Sequence, residues 1–216
     1  MTQCKSEYSN WVIPDILLCG PYPFTDGINF LTAEEGMKNI NDILEDGIDT
    51  FVCLCDELPS TSEHDGKIVK HPYFPKYLHY PDYIKNEKIL FRYFPIKDGH
   101  IPCTTKMIEY LNFLINDIQN GRKLYIHCAG GHGRTNIFTS ILFSLYYKKT
   151  PKESIEYVFR MRNTRKKIDK KLIIYNVNPT DIERVFHPVQ KQMVYKMIYY
   201  FTVIFELEYE KTLTTG

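Results

Sequence analysis

Between His127 and Thr135 the chain reads His-Cys-Ala-Gly-Gly-His-Gly-Arg-Thr, which sets a thiol, a guanidinium and three glycines in nine residues. A thiolate is a good nucleophile for phosphorus. It displaces an ester oxygen, forms a phosphocysteine, and water then hydrolyses that intermediate. The planar fork of Arg134 matches two oxygens of a bound phosphate. Gly130, Gly131 and Gly133 let the backbone curl, so that N–H groups from Ala129 through His132 to Arg134 converge on an anion. Thr135 can donate a hydrogen bond to the sulfur as it leaves, and His127 flanks the nucleophile. A solitary cysteine usually does no more than pack; the company that Cys128 keeps argues for a phosphate cradle.

Such a cradle needs a rigid mount. Lys123 to Ile126 is short, apolar and β-prone, and reads as a buried strand. Ile137, Phe138, Ile141, Leu142 and Leu145 recur at helical spacing, so a helix begins near Arg134. A loop from a strand's C-terminal end to a helix N-terminus is a ready anion site. The rest of the chain alternates in the same way. Trp11 to Gly20 reads as a strand and a turn, Ile48 to Cys55 as a second buried strand, and Ile89 to Pro95 as a third. Thr32 opens a helix with Glu35 as its capping box, and Gly47 ends it. Thr104 or Thr105 caps the next helix, with Met107, Ile108, Leu111, Leu114, Ile115 and Ile118 facing inward. Lys149-Thr150-Pro151 opens another. A closing helix runs from His187, with Met193, Met197, Ile198, Phe201, Ile204 and Phe205 as an apolar stripe that reads as core, not as a membrane face. The fold class is α/β: a central, mostly parallel sheet flanked by helices, with the site at the strands' C-terminal ends.

The leaving oxygen needs a proton, and the attacking water later needs a base. Asp98 suits both tasks, because it follows a strand on a Gly- and Pro-flanked loop, Ile96-Lys97-Asp98-Gly99-His100-Ile101-Pro102. An aspartate before glycine is also the ordinary composition of a solvated turn.

The run at 127–135 resembles the signature His-Cys-x5-Arg-(Ser/Thr) of the cysteine-dependent protein tyrosine phosphatase superfamily. Trp11-Val-Ile-Pro-Asp-Ile-Leu-Leu-Cys-Gly-Pro-Tyr-Pro23 resembles the opening of small, atypical dual-specificity phosphatases. The likeness spans residues 11 to 162 and the closing helix; Asn136 departs from it, standing where many members carry glycine. It implies a phosphatase-type three-layer sandwich with a helical C-terminal extension, Cys128 as nucleophile and Asp98 as general acid. Pro188-Val189-Gln190 resembles the family's Pro-x-Gln turn, which implies that Gln190 orients the hydrolytic water; a plain helix-start glutamine is the other reading. Val52-Cys53-Leu54-Cys55-Asp56 looks like a strand end of lipid-directed relatives. If its strand neighbours the one bearing Cys128, Cys55 is a candidate redox partner, or else a small buried residue.

The activity implied is hydrolysis of protein phosphotyrosine, with phosphoserine and phosphothreonine as further substrates. A phosphoinositide or inositol phosphate phosphatase is the alternative, and a non-catalytic phosphate-binding module the third reading. No cofactor is expected, because Arg134 and the backbone neutralise the phosphate.

At 216 residues, one domain is expected over residues 11–210, with a loose stretch at 1–10, a tail at 211–216, and insertions at about 56–88 and 163–186. A formal net charge of +1 gives no field that would draw nucleic acid. The six cysteines are scattered without a C-x-x-C pair, and no signal-peptide pattern opens the chain, so a reducing cytosol or nucleus is expected. No apolar run is long enough for a transmembrane segment. His64, His71 and His79 have spacings that match no ligand template, so no metal is expected from them. Tyr73, Phe74, Tyr77, Tyr80 and Tyr83 form either a lid or pocket wall or an insertion packed on the surface. Arg160, Arg162, Arg165, Lys166, Lys167, Lys170 and Lys171 form either a solvated face or a subsite for a second phosphate or acidic partner. The oligomeric state is not written in the sequence.

Overall fold

Strands this short and this apolar belong in a sheet covered on both faces. In the computed structural model, which describes residues 4–56, 79–167 and 186–214 with side chains as far as residue 204, five of them pair in one sheet. They are β1 (Asn10–Ile13), β2 (Leu17–Gly20), β3 (Thr50–Cys55), β4 (Leu90–Ile96) and β5 (Leu124–His127), in the order β1-β2-β5-β3-β4. Only β1 is antiparallel to its neighbour; β2, β5, β3 and β4 run parallel. The expected first strand and turn is therefore a hairpin, with Asp15 at φ +58 in its turn.

The central strand β5 is paired on both sides, Gly20↔His127 from β2 and Cys53↔His127 from β3. Its own Tyr125 and Ile126 and the neighbouring Phe51 and Leu54 of β3 are fully buried. This matters for the site, because the C-terminal end of β5 cannot shift without breaking two ladders.

Helices α1 (Ala33–Glu45), α2 (Thr104–Gln119), α3 (Gly133–Tyr147), α4 (Pro151–Arg162) and α5 (Pro188–Thr214) flank the sheet. Thr32 and Glu35 form the expected capping box of α1, and Thr150 with Glu153 forms a second at α4. The cap of α2 differs from expectation. Cys103, not Thr104 or Thr105, is the N-cap, and no side chain caps it. The stripe read on α3 is also too narrow. Every residue from Arg134 to Ser144 is buried, because the helix lies on the sheet and is covered by α4 and α5. On α5 the stripe faces the core: Met193, Val194, Met197, Ile198 and Phe201 are buried. No described helix is long and apolar enough to cross a membrane.

Residues 4–10, expected to be loose, are packed. Ser6 hydrogen-bonds Asn39 at 2.7 Å, the Lys5 N–H donates to the Asp46 carboxylate at 2.9 Å, and the Lys167 N–H donates to the Glu7 carbonyl at 2.8 Å. Buried polar side chains with partners across the fold overrode a polar composition that reads as solvated. His64, His71, Tyr73, Phe74, Tyr77, Lys170, Lys171 and Phe205, with most of both expected insertions, lie outside the residues or side chains described.

Candidate active site

β5 ends at His127 and α3 begins at Gly133, so Cys128 to His132 form the connecting loop. Gly131 adopts φ +68, and a Cβ there would stand 2.4 Å from the carbonyl carbon and oxygen of Gly20. Glycine is required at this point both by backbone conformation and by the close approach of β2. The loop's carbonyls are pinned on its outer side. Ala129 O accepts from the Tyr22 N–H at 3.0 Å and from Thr25 Oγ1 at 3.1 Å, and Gly131 O accepts from Arg165 at 3.3 Å. A peptide plane points its N–H opposite to its C=O. The N–H groups of Gly130 and His132 therefore face away from these anchors, toward the concave side.

Cys128 is buried at the floor, 3% exposed. Arg134, from the first turn of α3, is also buried, and its Nη1 donates to the Ile96 carbonyl at 2.8 Å. That bond ties the arginine to the end of β4, where the candidate acid loop begins. Its Nη2 lies 3.0 Å from Asp98 Oδ1, and its Nη1 lies 3.7 Å from Asp56 Oδ1. The Asp98 side chain is 81% exposed, so it reaches Arg134 from the solvent side. The Thr135 hydroxyl is buried and hydrogen-bonds no group among the described residues.

His127 lies beneath the loop, with Nε2 3.1 Å from the Tyr80 hydroxyl and its ring edge-on to Tyr22 and Tyr80. Burial, with the charge of Arg134 adding to it, pushes the imidazole down to about 3, so the ring is neutral. His132 packs against Arg162, and burial together with the charges of Arg162 and Arg165 holds it well below its ordinary range. Gln190, in the first turn of α5, is buried: its Nε2 donates to the His100 carbonyl at 3.4 Å, and its Oε1 is 2.9 Å from where a Cβ on Gly133 would stand. The structure thus gathers Cys128, Ala129 to Arg134, Asp98 and Gln190 around one cradle.

Cys55 sits at the end of β3 beside β5, as the sequence suggested. Burial, with the neighbouring Cys53 adding to it, pushes its thiol well above the ordinary range. A protonated thiol is a slow partner for an oxidised Cys128.

The basic cluster is not one surface. Arg162 and Arg165 are buried; Arg165 donates to Asn10 Oδ1 at 2.7 Å as well as to Gly131 O, and Lys167 pairs with Glu7 at 2.8 Å. The subsite read for these residues is therefore corrected for Arg162 and Arg165, whose guanidiniums are turned inward onto the loop and its neighbours. The pattern of charge along the chain could not show this, because the partners lie far off in sequence, Gly131 34 residues and Asn10 155 residues from Arg165. Sequence reasoning took Tyr80 only as one of several aromatics of a pocket wall or surface insertion, and Asp56 only as the end of a strand-end motif. Asp56 carried a signal, since it follows β3 as Asp98 follows β4.

Residues 6–173 match the family model described as PTP-SAK, Swiss Army Knife protein, DSP-PTPase phosphatase domain. The chain belongs to this phosphatase family. Among curated proteins, the phosphatase domain resembles 067L of Invertebrate iridescent virus 3, named as a tyrosine phosphatase, at 30% identity over 125 residues, covering 55% of this chain and 48% of the viral one. It also resembles MJECL20 of Methanocaldococcus jannaschii at 38% identity over 71 residues, covering 33% of this chain and 46% of that one. The chain thus spans about half or less of the curated relatives it matches. A mutant form of Tk-PTP shares the domain's fold with a TM-score of 0.57 at 15% identity, covering 91% of this chain and 97% of that one. PTPMT1, solved in complex with PI(5)P, does so at 0.56 and 12%, with the same coverage.

Proposed function

We propose that this domain hydrolyses phosphomonoesters on proteins, phosphotyrosine first among them, through a Cys128 phosphocysteine and without a metal ion. The observation that carries the reading is the Arg134 guanidinium, buried beside the Cys128 loop and bridged to Asp98 at 3.0 Å. An incoming phosphate dianion competes with that carboxylate for the fork of Arg134. Binding therefore frees Asp98 just where the leaving oxygen needs a proton. The loop amides and Arg134 take the charge that builds on the equatorial oxygens. Thr135, whose hydroxyl proton is uncommitted, donates to the sulfur as the P–S bond breaks. Gln190, between the loop and the His100 carbonyl, holds the water that Asp98 deprotonates in the second step.

Two features support a protein monophosphate over a polyphosphorylated lipid headgroup. His132 is neutral and Arg162 and Arg165 face inward, which leaves Arg134 as the cation turned to the cradle among these basic residues of the described chain. Ile28 and Phe30 are exposed on the loop whose Gly27 abuts Gly130, an apolar rim of the kind an aryl ring packs against. The lipid reading rests on the fold shared with PTPMT1, and a substrate panel separates the two.

The test is turnover of phosphotyrosyl peptides, phosphoseryl peptides and phosphoinositides in EDTA, by wild type and Cys128→Ser. Peptide turnover that Cys128→Ser abolishes, with tungstate binding retained, supports the reading. Full activity in Cys128→Ser removes it, and turnover confined to phosphoinositides replaces the substrate class.

A further inference from the structure

Directly under the loop the register of the sheet brings three soft donors together. Cys53 of β3 stands opposite His127 of β5, and paired residues of parallel strands project to the same face. Cys55, two residues further on, projects to that face as well. The two sulfurs and a ring nitrogen of His127 all lie within 4.8 Å of one another. All three residues are buried and none of the six cysteines is in a disulfide. The aromatic rings of Tyr22 and Tyr80 enclose the imidazole. We propose that Cys53, Cys55 and His127 form a binding site for one zinc-class cation on the inner side of the catalytic loop.

Donor chemistry and spacing both fit. Two thiolates and an imidazole are the ligand types a borderline-soft d¹⁰ cation prefers, and three protein ligands leave its fourth position to a small oxygen donor. Zn–S bonds of about 2.3 Å and Zn–N bonds of about 2.0 Å place donors on a tetrahedral ion about 3.5–3.8 Å apart. The present spread of up to 4.8 Å needs the side chains to draw in by at most about 1.3 Å, within the reach of small χ1 changes. The Tyr80 hydroxyl, 3.1 Å from His127 Nε2, is an oxygen donor placed beside these ligands for the fourth position. On binding, each thiol gives its proton to solvent, so that two thiolates meet one divalent ion and the site carries no net charge. The hydrolysis proposed above uses neither cysteine, so this site stands or falls separately from it. An ion there would join β3 to β5 immediately below Cys128 and stabilise the native sheet by mass action.

The experiment uses the full chain carrying Cys128→Ser, which removes the catalytic thiol as a competing ligand. The chelator-stripped protein is titrated with cobalt(II), followed by zinc. One equivalent of cobalt with thiolate-to-metal charge transfer and tetrahedral d–d absorption is expected, bleached by one equivalent of zinc, with a rise in Tm. Adding Cys53→Ser or Cys55→Ser should remove the charge-transfer band and the Tm rise. In case those variants fold poorly, alkylation of the Cys128→Ser protein provides a second measurement: zinc should slow modification of Cys53 and Cys55 at least tenfold and leave the exposed Cys103 unchanged. Absent charge transfer, a band that survives both serine substitutions, or equal alkylation with and without zinc would each overturn the proposal.

Discussion

At the mouth of the cradle one guanidinium meets two carboxylates, and their distances assign them different work. Asp98 is in hydrogen-bond contact with Arg134 at 3.0 Å and is nearly free to solvent, whereas Asp56 stands off at 3.7 Å. Asp98→Asn should slow hydrolysis of a tyrosyl phosphate by roughly 10²- to 10⁴-fold, and that of a p-nitrophenyl ester far less, because a good leaving group needs little protonation. Asp56→Asn weakens the longer ion pair with Arg134 and should change both substrates alike, by less than about tenfold. Leaving-group dependence found with Asp56→Asn in place of Asp98→Asn would move the acid to the end of β3. At Arg134 itself, lysine keeps the charge but cannot serve the Ile96 carbonyl and two phosphate oxygens together. Arg134→Lys should therefore lower kcat/KM by roughly 10²- to 10³-fold on every substrate.

The loop that bears Cys128 is held by elements remote in sequence. Arg165 contacts Asn10 of β1, Cys19 of β2 and the carbonyl of Gly131. A charge-assisted hydrogen bond to a backbone carbonyl contributes about 1.5–3 kcal/mol, so Arg165→Ala should cut turnover of even a small aryl phosphate by about 10- to 100-fold. A subsite for a second phosphate would instead leave the small substrate untouched, and the two outcomes separate cleanly in steady-state kinetics. Gly131→Ala should be worse: at φ +68 a side chain costs about 1–2 kcal/mol before its clash with Gly20 is counted. Loss of tungstate binding and a lowered Tm would report it. The nucleophile, the arginine and the strand-loop-helix around them were legible in sequence because their geometry is local, set by glycine spacing, a short apolar run and helical periodicity. The capping box at Thr32 and the helix start at Thr150 were legible for the same reason. The roles of Arg165, Asp56 and Tyr80 were not, because each depends on which strands become neighbours, a property of the closed sheet that no window of residues contains.

Across the whole molecule, burial rather than net charge sets how the fold responds to pH. His132 is held neutral well below its ordinary value of 6.5, whereas in the unfolded chain it titrates near that value. Between those two points the unfolded chain binds the extra proton, so stability is full above about 6.5 and is lost as the pH falls below it. The urea midpoint should drop from pH 7 to pH 5, and His132→Gln should make that slope shallower; an unchanged slope would mean the ring is charged in the fold. Residues 4–10, read from composition as loose, pack against the core at this scale, and so does the side chain of Gln190. One consequence concerns the order in which a ribosome delivers these parts. The sheet has all five strands once residue 127 has emerged, and the thiol follows at once. The clasps on its loop come much later, Arg165 on Gly131 and then Gln190 on Gly133. A nascent or prematurely ended product therefore holds the nucleophile and the arginine while lacking what shapes their cradle, and a chain cut short before residue 165 is silent instead of being an unrestrained phosphatase.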